Sequence, residues 1–324
     1  MLPSYDNLLK NGTVKKCKAT KINADECTVT VSTGESLPYD YLILATGFLH
    51  PKTVGVGNNK ETAAEITEVF KQAKSKLEAA ESILVIGGGP IGIEMAGEIV
   101  QEMPGKKVTL VTSKELFPSP NVAFPEKFRS RLKSKLEQVG VTVHTDCGHV
   151  SYSKGDIDEC GFITGQKTYS WTGGEAVVDL CIVCTGTTQA SSIYDASGLE
   201  SWLDERGQVK VHDTLEVQGA PVSGKVFAIG DCNDLPIPKL AYLAGVVGVS
   251  VVTQISASAA GKPLKSAKPK PMPISFVPVG KTGGGALPMG IVVGDYMMRY
   301  IKSRDMFVSK VWTFLNAGKP PAAL

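Results

Sequence analysis

The chain has 324 residues, 43% hydrophobic and 20% charged, with a formal net charge of +2. That composition belongs to a soluble globular protein with apolar mass for about two domains, and it excludes disordered, collagen-like and disulfide-stapled classes. No run approaches the roughly 18 apolar residues of a spanning helix, and MLPSYDNLLKNG lacks the basic start and apolar core of a secretory signal.

Between Thr13 and Val31 the alternating segments VKKCKATKI and CTVTVS read as antiparallel strands joined near Asn23-Ala24-Asp25. Residues 39–45, YDYLILA, read as a buried strand ending at Thr46-Gly47. Thr62 and Glu65 form a capping box ahead of a helix with Ile66, Val69, Phe70, Ala73 and Leu77 on its apolar face. Residues 83–86, ILVI, are a second buried strand. It breaks into Gly87-Gly88-Gly89-Pro90-Ile91-Gly92 and continues as a helix carrying Ile93, Met95, Ala96 and Ile99.

This is G-x-G-x-x-G with a strand before it and a helix after it, the context its chemistry requires. Gly87 permits the tight turn, Gly89 lets the backbone approach a pyrophosphate, and Gly92 allows close helix–strand packing. The helix N-terminus offers free N–H groups and the positive end of a dipole to the anion.

A strand over 108–111 follows, then a helix with Phe128, Leu132, Leu136 and Val139 closed by Gly140, then a strand over 141–144. Residues 151–176 are polar and read as a hairpin excursion. A strand over 177–183 ends at Cys184-Thr185-Gly186, and one over 225–229 ends at Gly230-Asp231. A helix spans 240–258, and the stretch 262–290, rich in glycine and proline, reads as a linker or small irregular cap. Strands alternating with helices argue for a parallel α/β sheet.

A last helix over 296–315 places Met297, Tyr300, Ile301, Val308, Val311 and Leu315 near one face. From Ser256 onward ten basic residues stand against Asp295 and Asp305, a net +8 that leaves −6 on the rest of the chain. A basic amphipathic helix can lie on an anionic bilayer, or its apolar face can pack on the protein's own body. The basic residues form no regular array with aromatics, so nucleic acid is not an expected partner.

The seven cysteines show no disulfide framework, which points to a reducing compartment such as the cytoplasm. Cys181 and Cys184 spell C-x-x-C, but three residues apart in a strand they point to opposite faces. They read as structural thiols, not as a redox or metal pair.

Two strand ends repeat: LILATG at 42–47 and CIVCTG at 181–186, with KVFAIGDC at 225–232 beside them. A small residue, Thr and Gly at a strand's carboxyl end let the chain pass close to a nucleotide, although each alone is also an ordinary turn. Together with the glycine turn and Glu94, Ala96 and Glu98 in the pattern E-x-A-x-E, these segments resemble the two-dinucleotide flavoprotein reductases. Pro238-Lys239-Leu240-Ala241-Tyr242-Leu243-Ala244-Gly245 and Lys302-Ser303-Arg304-Asp305-Met306-Phe307-Val308-Ser309 resemble the apoptosis-inducing-factor-like branch of that family. The resemblance runs over nearly the whole chain.

It implies an α/β fold in which a Rossmann-like NAD(P) domain is inserted in an FAD domain. The implied boundaries are 1–58 for the first FAD part, 59–188 for the NAD(P) domain, 189–260 for the second FAD part and 261–324 for a C-terminal cap with the basic helix. It implies that Gly87, Gly89 and Gly92 hold the nicotinamide cofactor's pyrophosphate, that Pro90, Ile91, Thr112, Ser113 and Gly186 also belong to the cofactor-binding set, and that Glu94 lies near the nicotinamide end. Ala45, Thr46 and Gly47 would border FAD, and Gly230 and Asp231 would bind its ribityl chain. Pro238, Lys239, Leu240 and Ala241 would run beside the ring, where Lys239 could face a reduced flavin; without the resemblance, Lys239 reads equally as a solvated lysine. Glu94 and Lys239 are the implied catalytic residues.

The implied reaction passes hydride from NAD(P)H to flavin and electrons to a quinone-like acceptor. No paired cysteines stand where a dithiol reductase would need them. Strand 108–111 ends at Thr112-Ser113-Lys114 with no carboxylate at the first two positions; Lys114 could tolerate a 2′-phosphate and Glu115 keeps NADH possible, so both NADH and NADPH are expected to bind.

No glycine fingerprint precedes Gly87, whereas the family implies a first one for the ADP half of FAD. The expectation is an N-terminally incomplete FAD domain, and the alternative function is an inactive NAD(P)H-binding module. Met1-Leu2 does not match the Gly that N-myristoylation needs, so lipid contact would rest on the tail.

Overall fold

The apolar run ahead of the glycine turn forms the central strand of a five-stranded sheet, and burial on both faces explains why it carries no alternation. The computed structural model describes residues 5, 8–49, 60, 62–119, 122–186, 188–270, 272–304 and 306–318. Met1, Leu2 and Asp305 lie outside them. The chain divides into two units, one of Met1–Val14, His50–Gly186 and Pro273–Leu324, the other of Lys15–Leu49 and Thr187–Met272.

In the first unit the strand order is Val141–His144, Lys107–Val111, Ser82–Ile86, Gly174–Val183 and Phe162–Trp171. The first four run parallel and the last is antiparallel to its neighbour. Ile83 stands opposite Val108 and Leu180, and Ile86 opposite Val111 and Val183. Period-two alternation divides the buried side chains. Ile83 and Val85 share one core with Ile93 and Ile99 of the Pro90–Glu102 helix and Phe128, Leu132 and Leu136 of the Glu126–Gln138 helix. Leu84 and Ile86 share another with Ile163, Tyr169 and Trp171. Cys184 belongs to the first core and Cys181 to the second, both buried, so the C-x-x-C spelling is divided by the sheet.

The capping box forms at the start of the Ala63–Ala79 helix: Glu65 N–H donates to Thr62 Oγ1 at 3.2 Å, and Thr62 N–H donates to the Glu65 carboxylate at 2.8 Å. Its apolar face is narrower than the spacing suggests. Val69 is buried and Ala73 and Leu77 pack on the core, but Phe70, about a quarter-turn from Val69, is exposed. The Glu126–Gln138 helix ends as expected, with Gly140 at φ +102°.

Two expectations about the C-terminal part need correction. The Gly/Pro-rich stretch contains an antiparallel hairpin, Ser275–Pro278 with Gly284–Leu287. Its glycines serve close approach: a Cβ on Gly285 would press on Leu132 and Phe128, and one on Gly97 of the Pro90–Glu102 helix would press on Val279 and Gly280. The last helix is not continuous. Asp295–Met298 passes into a π-turn over Arg299–Ser303, and a separate helix spans Val308–Phe314. Between them Met306 and Phe307 adopt φ +50° and +64°, a left-handed exit that no glycine or proline announces. Ser303 Oγ, donating to Gly283 O at 3.0 Å, ties the end of the first segment to the hairpin.

The second unit holds an antiparallel meander, Ala19–Asn23, Thr28–Val31 and Ser36–Pro38, and a parallel pair, Leu42–Leu44 with Val226–Ala228. Phe48–Leu49 pairs with Thr188–Gln189. Tyr194, Trp202, Leu215 and Phe227 form its core with Val247 and Val251 of the Ala241–Ala259 helix. The expectation that no run approaches a spanning helix needs correction: at 19 residues and a mean hydropathy of 1.4, that helix is long and apolar enough to cross a bilayer by length and composition, its glycines and small polar residues lowering the hydropathy without breaking the helix. Its Leu243, Val247, Val251 and Gln254 are nonetheless buried in the protein. On the opposite face Tyr242, Val249 and Val252 are exposed, as is Ile43 of the parallel pair.

Candidate functional site

The chain bends sharply at Gly87, whose φ of +122° only glycine adopts readily, and a Cβ there would press on the Cys184 carbonyl. Gly87 N–H donates to Val111 O at 2.8 Å and Cys184 N–H to Ile86 O at 2.8 Å, so the turn is pinned to both neighbouring strands. Gly92, one helical turn on, has no room for a Cβ: it would overlap the Gly87 carbonyl oxygen. The helix therefore starts hard against the strand end.

Gly89 is the N-cap, followed by Pro90 at the first helical position, where a missing N–H costs nothing. A Cβ on Gly89 would meet no atom within 4 Å. The first helical bond runs from Ile93 N–H to Gly89 O at 3.1 Å, so the N–H groups ahead of Ile93 are left to a ligand. The first turn contains no acidic residue.

In front of the turn lies a cavity of about 400 Å³. Its floor is Gly87–Gly89, one wall is Thr112 and Ser113, and the other is Cys184, Thr185 and Gly186. Of the residues implied for the nicotinamide cofactor, Gly87, Gly89, Thr112, Ser113 and Gly186 line this space. Pro90, Ile91, Gly92 and Glu94 lie along the helix behind it. His149 and Tyr152 also line it, and no motif marks either. The Tyr152 hydroxyl lies 3.0 Å from Thr185 Oγ1, joining two walls.

Glu94 faces the C-terminal segment. Lys302 Nζ donates to Glu94 Oε1 at 2.8 Å and to Phe276 O at 3.0 Å, with side chains 18% and 23% exposed for Lys302 and Glu94. Burial pushes the Glu94 carboxyl above its usual range, and the Lys302 charge and hydrogen bond oppose that shift. Lys302 is 208 residues from Glu94. The tail motif drew attention to its segment, but nothing local indicated its partner.

The residues implied for flavin belong to the second unit. Both parallel strands end side by side there, the arrangement that places a ligand at strand carboxyl ends. Ile229 N–H donates to Leu44 O at 2.9 Å, which brings Ala45, Thr46 and Gly47 beside Gly230 and Asp231. Gly47 and Gly230 have φ of +64° and +72°, and Gly47 borders open space. Thr46 Oγ1 lies 3.3 Å from the Tyr194 hydroxyl. Pro238, Lys239 and Leu240 lead into the Ala241–Ala259 helix, with Leu240 as its N-cap. The Lys239 ammonium is bound by its own loop: it donates to Asn233 O at 2.6 Å, Asn233 Oδ1 at 3.2 Å and Leu235 O at 3.3 Å. Burial pulls its pKa down, while Asp231, Cys232, Asp234 and Asp204 hold it up. The glycine strand ends and the helix start fit the ring and ribityl half of FAD. Among the described residues of this unit, no glycine-rich strand-to-helix turn fits its pyrophosphate.

A parallel sheet with a glycine turn at its central strand and a helix N-terminus open to a cavity defines a dinucleotide-binding architecture. Residues 6–248 match the family model described as pyridine nucleotide-disulphide oxidoreductase. The chain is 34% identical to ferroptosis suppressor protein 1 of Taeniopygia guttata over 312 residues, 94% of this chain and 79% of that protein. It is 27% identical to apoptosis-inducing factor homolog A of Dictyostelium discoideum, over 98% of this chain and 79% of that protein. The NAD-dependent persulfide reductase of A. fulgidus shares the fold, with a TM-score of 0.57 at 22% identity over 81% of this chain. The chain spans about half the length of that solved structure, 47%. The chain belongs to the pyridine nucleotide-disulphide oxidoreductase family, whose cofactors are FAD and NAD(P)H. The resemblance to the apoptosis-inducing-factor-like branch read from the sequence is shown by the same relatives.

Two substitutions should separate the roles of the glycines. Gly89→Asp places a favourable N-cap acid in open space, so thermal stability should hold or rise while NADH binding weakens at least tenfold, about 1.4 kcal/mol. Gly92→Ala should destabilise the protein by about 1–3 kcal/mol in urea titration, because the helix must move off the strand end.

Lys302→Met leaves the half-buried Glu94 without its cation and should cost about 1–3 kcal/mol at pH 8. The folded carboxyl pKa then rises further while the unfolded value stays near about 4.3. Stability should therefore be lost progressively as pH rises above that value. The deficit should shrink at pH 5; a pH-independent deficit would contradict the pairing.

Proposed function

We propose that this protein is an FAD-dependent NAD(P)H oxidoreductase that takes hydride from NAD(P)H and delivers electrons to a quinone-type acceptor. The observation that carries the reading is the open space at Gly89 on an acid-free helix N-terminus, beside the strand ends at Thr112 and Thr185. In this reading Gly87, Gly89 and the N–H groups ahead of Ile93 hold the pyrophosphate, Thr112 and Ser113 border the adenosine ribose, and Gly186 leaves room for the nicotinamide half. Lys302 opposes the upward pKa shift that burial imposes on Glu94, on the helix that carries the turn. Ala45, Thr46, Gly47, Gly230, Asp231 and the Pro238–Ala241 stretch are assigned to FAD, which when bound supplies hydride acceptance and electron release.

The cysteines favour a diffusible acceptor over a thiol relay. Cys181 and Cys184 lie on opposite sheet faces, and Cys232 is buried with its Sγ 3.4 Å from Leu44 O. A second reading, an NAD(P)H-binding module without redox activity, is favoured by the two-stranded parallel sheet of the second unit, among whose described residues no glycine-rich strand-to-helix turn occurs.

Visible absorbance of the purified chain distinguishes the two. The oxidoreductase reading predicts a flavin spectrum that NADH bleaches anaerobically and a short-chain quinone restores. A colourless chain that still binds NADH would leave the binding module as the function.

A further inference from the structure

The cavity wall at Thr112 and Ser113 carries an imidazole that no sequence motif announces. After the Val141–His144 strand the chain runs back along the end of the Lys107–Val111 strand. Thr112 N–H donates to His144 O at 3.0 Å, Cys147 N–H to Thr112 O at 3.0 Å, and Gly148 N–H to Ser113 O at 3.3 Å. Gly148 makes the turn at φ +65°. The residue after it, His149, is thereby placed beside Ser113, exposed, with both lining the cavity.

The end of the second strand is where dinucleotide-binding folds read the 2′ position of the adenosine ribose. An acid there holds a 2′-hydroxyl, and a cation accommodates a 2′-phosphate. This wall has no carboxylate. Glu115 is off it, with its carboxylate 2.8 Å from the Arg129 guanidinium, and Lys114 and Asp146 are exposed and also off it. What remains is a hydroxyl, which can donate or accept, and an imidazole, which donates to an anion and more strongly when protonated.

We propose, resting on the nucleotide-binding reading above, that Ser113 and His149 form the 2′ subsite and that His149 is the residue that admits a 2′-phosphorylated dinucleotide. Ser113 serves the 2′-hydroxyl and the 2′-phosphate alike. His149 contributes to the phosphate alone, so its removal separates NADPH from NADH, which a merely structural role would not do.

The test is equilibrium titration of the purified chain with NADPH and with NADH, followed by nucleotide fluorescence at pH 7, which requires no flavin. Wild type should bind both. His149→Ala should weaken NADPH at least fivefold and change NADH less than twofold, and His149→Lys should restore NADPH to within threefold of wild type. Equal weakening of both nucleotides, or no change in either, would overturn the proposal. Wild-type binding of NADH without NADPH would overturn it too, leaving the nucleotide-binding reading intact. Binding of neither would overturn both.

Discussion

At Gly92 the nucleotide helix touches the carbonyl oxygen of Gly87, and the missing side chain sets how closely helix and strand end approach. Much of the first unit depends on that distance. It points the helix N-terminus into the cavity, brings Ile93 and Ala96 onto Ile83 and Val85, and presents the adjoining flank of the helix to the C-terminal hairpin, whose Val277 and Val279 join the same core. There Gly97 permits a second close approach, and the Gln101 amide donates to Thr282 Oγ1 at 2.7 Å and accepts from Lys281 N–H at 3.0 Å. One helix is thus fixed on two sides by glycines whose side chains would not fit, a constraint of shape that charge then refines.

The charge pattern runs along the same helix. Its first turn bears no acid, so the positive end of its dipole is open to an anion. Glu94 and Glu102, further along, pair with Lys302 and Lys281 from the C-terminal segment. Arg131 and Lys135 of the neighbouring helix both bind Asp295. The C-terminal segment therefore complements the two helices electrostatically as well as sterically. A π-turn at Arg299–Ser303 carries Lys302, and such local widening is frequent where a helix serves a site. The Glu94 carboxyl on the helix behind the cavity takes its ion-pair partner, Lys302, from near the other end of the chain.

Much of this was legible in the sequence, because the deciding signals were local. The ILVI run, the glycine turn and the capping box each encode their structure within a few residues, and strand parity alone placed Cys181 and Cys184 on opposite faces. What escaped was non-local or unmarked. Phe70 fitted the helical spacing, but the face that meets the core is narrower than the spacing. The glycines of residues 283–285 suggested looseness, whereas each serves a close approach: Gly283 to Asp295, Gly284 to the Val277 carbonyl and Gly285 to Phe128 and Leu132. Met306 and Phe307 leave the helix through left-handed conformations with no glycine to announce them. His149 and Tyr152 reach the cavity because a backbone ladder folds residues 146–148 back on 112–114, and neither carries a motif of its own.

The proposed function turns on whether the Gly87–Gly92 turn and the helix behind it bind the pyrophosphate of a nicotinamide dinucleotide. A crystal structure of the chain with NADH tests it most directly. The account predicts phosphate oxygens within hydrogen-bond distance of the N–H groups ahead of Ile93, with the dinucleotide extending between Ser113 and Gly186. A dinucleotide bound elsewhere, or none at saturating NADH, would contradict it.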